Sequence, residues 1–306
     1  QTMFYREEYE RHLVTIGRSA GTRRVHRYTL RIFVEFLASR GIDTVKAVGE
    51  SHVEAFARHL VSRGYGSRYR GGLLITLRCY FQFLEDRKII FLSPASTLRL
   101  PVRNGGHHPA YGHADLMRWF ESLDCSTAMG LRARAILELA YSAALRPREV
   151  QAIKLTDIDD AKGVIFIEQS KNKKDRIVPV GITALDWVNR YVTEVRSRMV
   201  RDPDHGFVFV SHVTGNPLGS RGLVWALADA CGKASIPRLS IYSMRASAAT
   251  NMLGGGMGIV HISRLLGHAC IKTTQVYLRT RERKLSSIIG KHHPRFHADR
   301  NTEATA

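Results

Sequence analysis

Residues 143–180 read AALRPREVQAIKLTDIDDAKGVIFIEQSKNKKDRIVPV, and the apolar pattern changes period partway along. Pro147 suits the first position of a helix, PREVQAIKL, because its ring presets φ and the amide it lacks has no intrahelical partner there anyway. Beyond it, GVIFIEQ (163–169) and DRIVPV (175–180) are short β-rich runs joined by the basic SKNKK, the pattern of an antiparallel hairpin. Upstream, 127–144 reads as a helix with Ile136, Leu139, Ala140 and Ala143 inward. Downstream come a helix at 183–200, the run FVFV (207–210), helices near 221–233, 241–253 and 259–266, and a last one at about 272–289. Residues 112–290 are therefore expected to form an α+β domain with a small antiparallel β-sheet.

The first hundred residues read as helix alone. Residues 22–40 carry Val25, Ile32, Phe33, Phe36 and Leu37 at helical spacing, 51–63 carry Val53, Phe56, Leu60 and Val61, and 67–86 carry Leu74, Leu77, Phe81 and Leu84. Arg and Lys fill the opposite faces, and Gly41 and Gly64 stand where helices end. An all-α domain over 1–100 follows. The stretch 93–112, SPASTLRLPVRNGGHHPAYG, has no amphipathic period and reads as a connection, with the linker at 101–111. KHHPRFHADRNTEATA (291–306) reads as a mobile tail.

Charge narrows the function. The 306 residues carry 46 Lys+Arg against 27 Asp+Glu, a formal net charge of +19. Residues 1–101 contribute +8 of it and the rest +11, so both halves are expected to touch a polyanion, most often nucleic acid. Cys79, Cys125, Cys231 and Cys270 lie far apart with no CxxC pair. That argues against a disulfide scaffold or a Cys-rich zinc site and suits a reducing, cytoplasmic setting. No apolar run approaches the ~20 residues of a membrane span. The opening QTMFYREEYERH has neither an initiator Met nor the apolar core of a secretory leader.

For chemistry, the sequence offers no HExxH and no Walker loop, and Gly254, Gly255 and Gly256 lack the Lys-Ser/Thr a phosphate loop needs. It offers instead dispersed cations and hydroxyls at helix starts and turns. Arg146 stands at a helix junction, with Glu149 one turn on and able to hold a guanidinium by a charge-assisted pair. Tyr242 and Arg245 are three apart on one helix face, and His268 precedes Tyr277 by nine residues. Singly, each is an ordinary residue of its kind. His107, His108 and His113, in or near the linker, read as solvated, and His292, His293 and His297 as no more than an adventitious metal site.

In this order and spacing the set resembles the tyrosine site-specific recombinase (phage integrase) family. Its first box corresponds to AALRPREVQAIKLTDID, its second to Tyr242-Ser-Met-Arg245, and its third to LLGHACIKTTQVY (265–277). The resemblance is strong over 145–280 and looser over the helical half, which corresponds to the core-DNA-binding domain. It implies Tyr277 as nucleophile, forming a 3′-phosphotyrosine link. Arg146, Arg245 and His268 would be donors to the phosphate, Glu149 the acidic pocket residue, and Lys171 the acid for the leaving 5′-oxygen. Lys173 and Lys174 are neighbours of the same kind. No metal and no cofactor are implied. Partners would be double-stranded DNA with inverted-repeat core sites and further copies of the chain, two on one site and four in a synapse that resolves through a Holliday junction. A mobile element is the expected context.

Tyr242 departs from the family's usual His. A phenol with a pKa of about 10 is a poor base near neutrality but can donate or accept a hydrogen bond, so Tyr242 is expected to serve as a phosphate-oxygen donor. Two alternatives stay open: a sequence-specific DNA-binding protein with an impaired pocket, and a type IB topoisomerase-like enzyme. Leu285, Ile288 and Ile289 form a short amphipathic stretch that would dock either in cis or on a neighbouring protomer. Because Lys and Arg would neutralise phosphates and release counterions, duplex affinity should fall steeply as salt rises, which anisotropy titrations at about 50 and about 200 mM would register.

Overall fold

The computed structural model of the chain describes residues 4–101, 108–168, 175–202, 205–268, 270 and 273–275. It falls into two compact units, Gln1–Gly106 and His107–Ala306. Among the described residues no helix is long and apolar enough to cross a membrane.

The first unit is all helical: α1 Arg6–Thr15, α2 Ala20–Ala38, α3 Glu50–Ser62 and α4 Ser67–Asp86. The Ser19 hydroxyl caps α2 by accepting from the Thr22 amide at 3.2 Å. Its buried stripe is His26, Thr29, Leu30, Phe33, Phe36 and Leu37. Val25 and Val61, expected in the core, are about half exposed, because each lies one residue, roughly 100° of helix, off the stripe its neighbours form. Phe33 is the hub, edge-on to Phe56 at 5.0 Å and to Phe81 at 5.8 Å. The α1 helix has only Tyr9 and Leu13 buried, too few apolar positions to show a period in the sequence. Tyr80 ties the chain's start to α4 by donating to the Phe4 carbonyl at 2.5 Å.

The second unit is α+β: α5 His113–Glu121, α6 Ala128–Ser142, α7 Pro147–Ala152, β1 Ile158–Asp159, β2 Val164–Ile167, β3 Arg176–Pro179 and α8 Ile182–Tyr191. A π-turn, Val192–Arg196, leads to α9 Ser197–Met199, then α10 Ser220–Lys233, α11 Ile241–Gly254 and α12 Ile259–Leu266. The three strands form one antiparallel sheet in the order β1-β2-β3, with Ile165 opposite Ile158 and Val178, and Ile167 opposite Arg176. Alternation sends Ile165, Ile167 and Val178 into the core and leaves Phe166 and Ile177 exposed. Helix α6 is buried all round from Gly130 to Ala140, with α8, α10 and α11 packed against it.

FVFV (207–210) forms no ladder strand. Its amides and carbonyls go two ways: Val208 donates to the Ile153 carbonyl, and the Phe209 carbonyl accepts from Leu218, each at 2.9 Å, leaving only isolated bridges. The hairpin loop at 170–174 and the helix expected at about 272–289 lie outside the described residues.

One turn sets up the site. α6 ends with Leu145 N–H on the Ala140 carbonyl at 3.2 Å, a Schellman-type closure that puts Ala144 at φ 49° where glycine is usual. An alanine there costs about 1–2 kcal/mol of backbone strain. Its methyl, however, fills a fully buried cluster with Ala248, Ala249 and Leu253 of α11 and Ile262 and Leu266 of α12. Ala144→Val should therefore lose about 2–4 kcal/mol, since added methyls meet a closed core at positive φ. Ala144→Gly should change stability by less than about 1 kcal/mol, strain relief offsetting the lost methyl. Urea midpoints would report both.

Candidate active site

The turn through Ala144 buries Leu145 and leaves Arg146 as the residue that opens α7. Glu149, one turn on, reaches back: it accepts from the Arg146 amide and, through Oε1, from Arg146 Nη1, both at 2.7 Å. A second arginine grips the same carboxylate. Arg176 Nη1 and Nη2 donate to Glu149 Oε1 and Oε2, each at 3.0 Å, a bidentate pair. Arg245 Nη1 stands 3.9 Å from Oε2. One buried carboxylate thus serves three guanidiniums.

The C-terminal end of α12 completes the frame. The last carbonyls of a helix have no intrahelical donor and carry its negative pole. Here Leu265 accepts from Arg176 Nε at 3.1 Å, Leu266 from Arg245 Nη2 at 2.6 Å, and Gly267 from Arg146 Nη2 at 2.8 Å. Gly267 reaches this position at φ 59°, the left-handed conformation that ends the helix. Arg245 is also held by the Ala144 carbonyl at 2.7 Å, so the strained turn and the arginine share a bond.

His268 follows directly. Its Nε2 lies 3.1 Å from Arg245 Nη2 and its Nδ1 2.8 Å from Oγ1 of the buried Thr274. A guanidinium only donates, so Nε2 accepts and Nδ1 carries the proton given to Thr274. Arg146, Glu149, Arg245 and His268, expected from the sequence, thus come together in one place. Tyr242 lies one turn ahead of Arg245 on α11, about half exposed, its ring stacked on that of His108 with centroids 4.7 Å apart. Lys171 and Tyr277 lie outside the described residues.

Arg176 is the residue that reading the sequence overlooked. A signal was present: in RIVP the alternation puts Arg176 on the same face as Val178, an inward-facing arginine on an otherwise apolar face. Its three bonds to Glu149 and Leu265 use three of its five N–H groups, and its side chain is only 11 % exposed, so it braces the pocket. Arg146, at 26 % exposure, uses two N–H groups on Glu149 and Gly267 and keeps three for a ligand. Three guanidiniums against one carboxylate leave these groups with an excess of two positive charges. Beside them runs a groove lined by Arg148, Lys154, Phe166 and Glu168. This arrangement suits a phosphate diester.

Burial alone would raise the Glu149 pKa. The hydrogen bonds from Arg176 and Arg146 outweigh it and hold the carboxyl at about 2, against 4.5 for a free one. A depressed carboxylate pKa stabilises the fold above the unfolded value and ceases to do so as pH falls through the folded one. Glu149→Gln should therefore cost about 3 kcal/mol at pH 7, and the gap to the parent should close between about pH 4.5 and 2, as read from urea midpoints against pH.

Residues 115–284 match the phage integrase family and residues 7–88 the phage integrase N-terminal SAM-like domain. The chain is 31 % identical over 300 residues to tyrosine recombinase XerC 2 of Ralstonia nicotianae, covering 95 % of this chain and 85 % of that protein. It is 29 % identical over 283 residues to tyrosine recombinase XerC of Oceanobacillus iheyensis, covering 92 % of each. Among solved structures, the Tn1549 transposon integrase in complex with a circular-intermediate DNA superposes with a TM-score of 0.75 at 14 % identity, over 90 % of this chain and 95 % of that one. A lambda integrase dimer bound to a COC′ core site gives 0.68 at 16 %, over the same shares. These two share the fold. Its helical first unit, its α+β second unit and these matches along both agree: the chain belongs to the phage integrase family, whose members are tyrosine recombinases that break and rejoin DNA strands.

Proposed function

We propose that the chain is a site-specific recombinase that cleaves and rejoins DNA through a 3′-phosphotyrosine intermediate, in the integration and excision of a mobile element. The observation that carries this reading is the gathering of Arg146 and Arg245 at a braced carboxylate, with His268 against Arg245 and spare donors on Arg146. Residues 1–100 would serve as the core-DNA-binding domain, 101–111 as linker and 112–290 as the catalytic domain; the tail expected at 291–306 lies outside the described residues. Two copies would bind an inverted-repeat site and two such pairs would synapse, in the cytoplasm.

In the first step the Tyr277 oxygen attacks the scissile phosphorus and gives up its proton to solvent or a neighbouring group. The bond to the 5′-oxygen breaks, and Lys171 supplies that oxygen's proton. In the second step a 5′-hydroxyl of the partner strand attacks the phosphotyrosine and Tyr277 leaves, so the bond's energy is conserved and no nucleotide cofactor is consumed. Arg146, Arg245 and His268 would donate to the non-bridging oxygens as charge develops, each such donor being worth about 10²–10³ in rate. For His268 to donate, Nε2 would carry the ring proton toward the phosphate while Nδ1 accepts from the Thr274 hydroxyl, the tautomer opposite to the one in which Nε2 accepts from Arg245. Tyr242 would add a hydroxyl donor from the first turn of α11. Its departure from the usual His favours a mobile-element enzyme over a housekeeping one.

The same departure favours a second reading, a DNA-binding relative disabled at Tyr242. A nicked suicide duplex bearing the selected site, in EDTA, separates the two. A denaturant-resistant adduct formed by the parent and lost in Tyr277→Phe would establish the chemistry. Tight binding with no adduct from either protein would establish the disabled relative. Tyr242→Phe should slow adduct formation at least about tenfold, and an unchanged rate would deny the hydroxyl a role.

A further inference from the structure

Tyr242 sits on the first turn of α11 with its ring about half exposed. On one side it lines a groove with Arg148 and Gln151 of α7 and Leu223 and Val224 of α10. That groove is apolar along α10 and would take up an unrestrained phenol. Against the ring lies His108, its imidazole 4.7 Å away between centroids and only 9° from parallel. Parallel rings at this separation are offset-stacked, a geometry with a preferred place for each ring.

The stack is built into the unit. The short segment from His108 to Tyr111 runs along α11 in the opposite direction, and its far end is pinned to that helix twice. The Tyr111 amide donates to Ser247 Oγ at 2.8 Å, and Asn251 Nδ2 donates to the Tyr111 carbonyl at 3.1 Å. Tyr111 is further wedged edge-on against Trp119 of α5 at 5.0 Å. With Tyr111 fixed beside residues 247 and 251, three residues of chain carry His108 back to residue 242. Pro109 stiffens that reach by fixing its own φ and restricting His108 to extended backbone. The ring that meets Tyr242 is therefore delivered by an anchored strap.

We propose that His108 is a positioning residue for DNA cleavage: it stacks on the Tyr242 phenol, keeps it out of the groove between α7 and α10, and aims its hydroxyl at a phosphate held by Arg245 and His268. This role presupposes the cleavage reaction proposed above. It assigns to a residue outside the three boxes the task of orienting the phenol in the second, and it needs the flat face of His108 rather than its charge.

The test uses the full chain and a nicked suicide duplex carrying the site it selects from random-sequence DNA, with affinity and single-turnover adduct formation measured separately. His108 is exposed, so its substitution leaves the core untouched. His108→Ala should slow adduct formation about tenfold while duplex affinity stays within about twofold. His108→Phe, which keeps a flat ring and loses the titratable nitrogens, should recover most of that rate across pH 6–8. In a Tyr242→Phe background, where the ring still stacks but has no hydroxyl to aim, His108→Ala should change the rate by less than about twofold. An unchanged rate in His108→Ala, or the same loss with and without the 242 hydroxyl, would overturn the proposal while leaving the recombinase reading intact. A parent that forms no adduct would overturn both.

Discussion

Three guanidiniums gathered in one partly dry pocket repel one another, and each loses hydration on entering it. Glu149 is what lets them coexist. Its two oxygens bind Arg146 and, bidentately, Arg176, and stand 3.9 Å from Arg245. A single carboxylate could not satisfy so many N–H groups. The remainder fall to the carbonyl end of α12, where Leu265, Leu266 and Gly267 accept from the three arginines in turn. The last turn of a helix is suited to this, because its carbonyls are free and its dipole is negative there. The balance stops short of neutrality, and the surplus of positive charge is what a phosphate would complete.

The same bonds fasten distant parts of the second unit to each other. Arg146 opens α7, Arg176 belongs to β3 and Arg245 to α11, and all three meet the end of α12. The turn after α6 joins them through the Ala144 carbonyl. That turn keeps an alanine in a conformation made for glycine, and the methyl repays part of the strain by packing between α11 and α12. Strain in one residue thus serves both the hydrophobic cluster and the aim of Arg146, consistent with strained backbone collecting near functional sites. The arginines inherit their positions from apolar packing, with α6 at the centre of it.

Much of this was legible in the chain. The hairpin follows from the β-rich runs at 163–169 and 175–180, and the buried stripe of α2 from phenylalanines at helical spacing. The pairing of Arg146 with Glu149 follows from one turn of helix and a proline at its start. Local rules fail where a partner lies far off in sequence. Val25 and Val61 are apolar and near the right phase, yet the stripe their neighbours form leaves them outside. FVFV (207–210) has every mark of a strand, but its neighbours, Ile153 on one side and Leu218 on the other, share it between them. His108 reads as one more linker histidine until Tyr111 is seen pinned along α11.

By itself, then, the sequence determined most of the helices and the hairpin, the division into an all-α and an α+β half, the excess of positive charge, and the residue types at the three boxes. These are properties of short stretches, governed by periodicity, capping and composition. Only the tertiary structure decided that Arg176 braces Glu149, that three consecutive carbonyls at the end of α12 receive three arginines, and that a linker imidazole lies against Tyr242. Each of those contacts joins residues from 21 to 134 positions apart. No local pattern specifies such pairs, because they form only once burial of the apolar faces around α6 has brought the separate elements together.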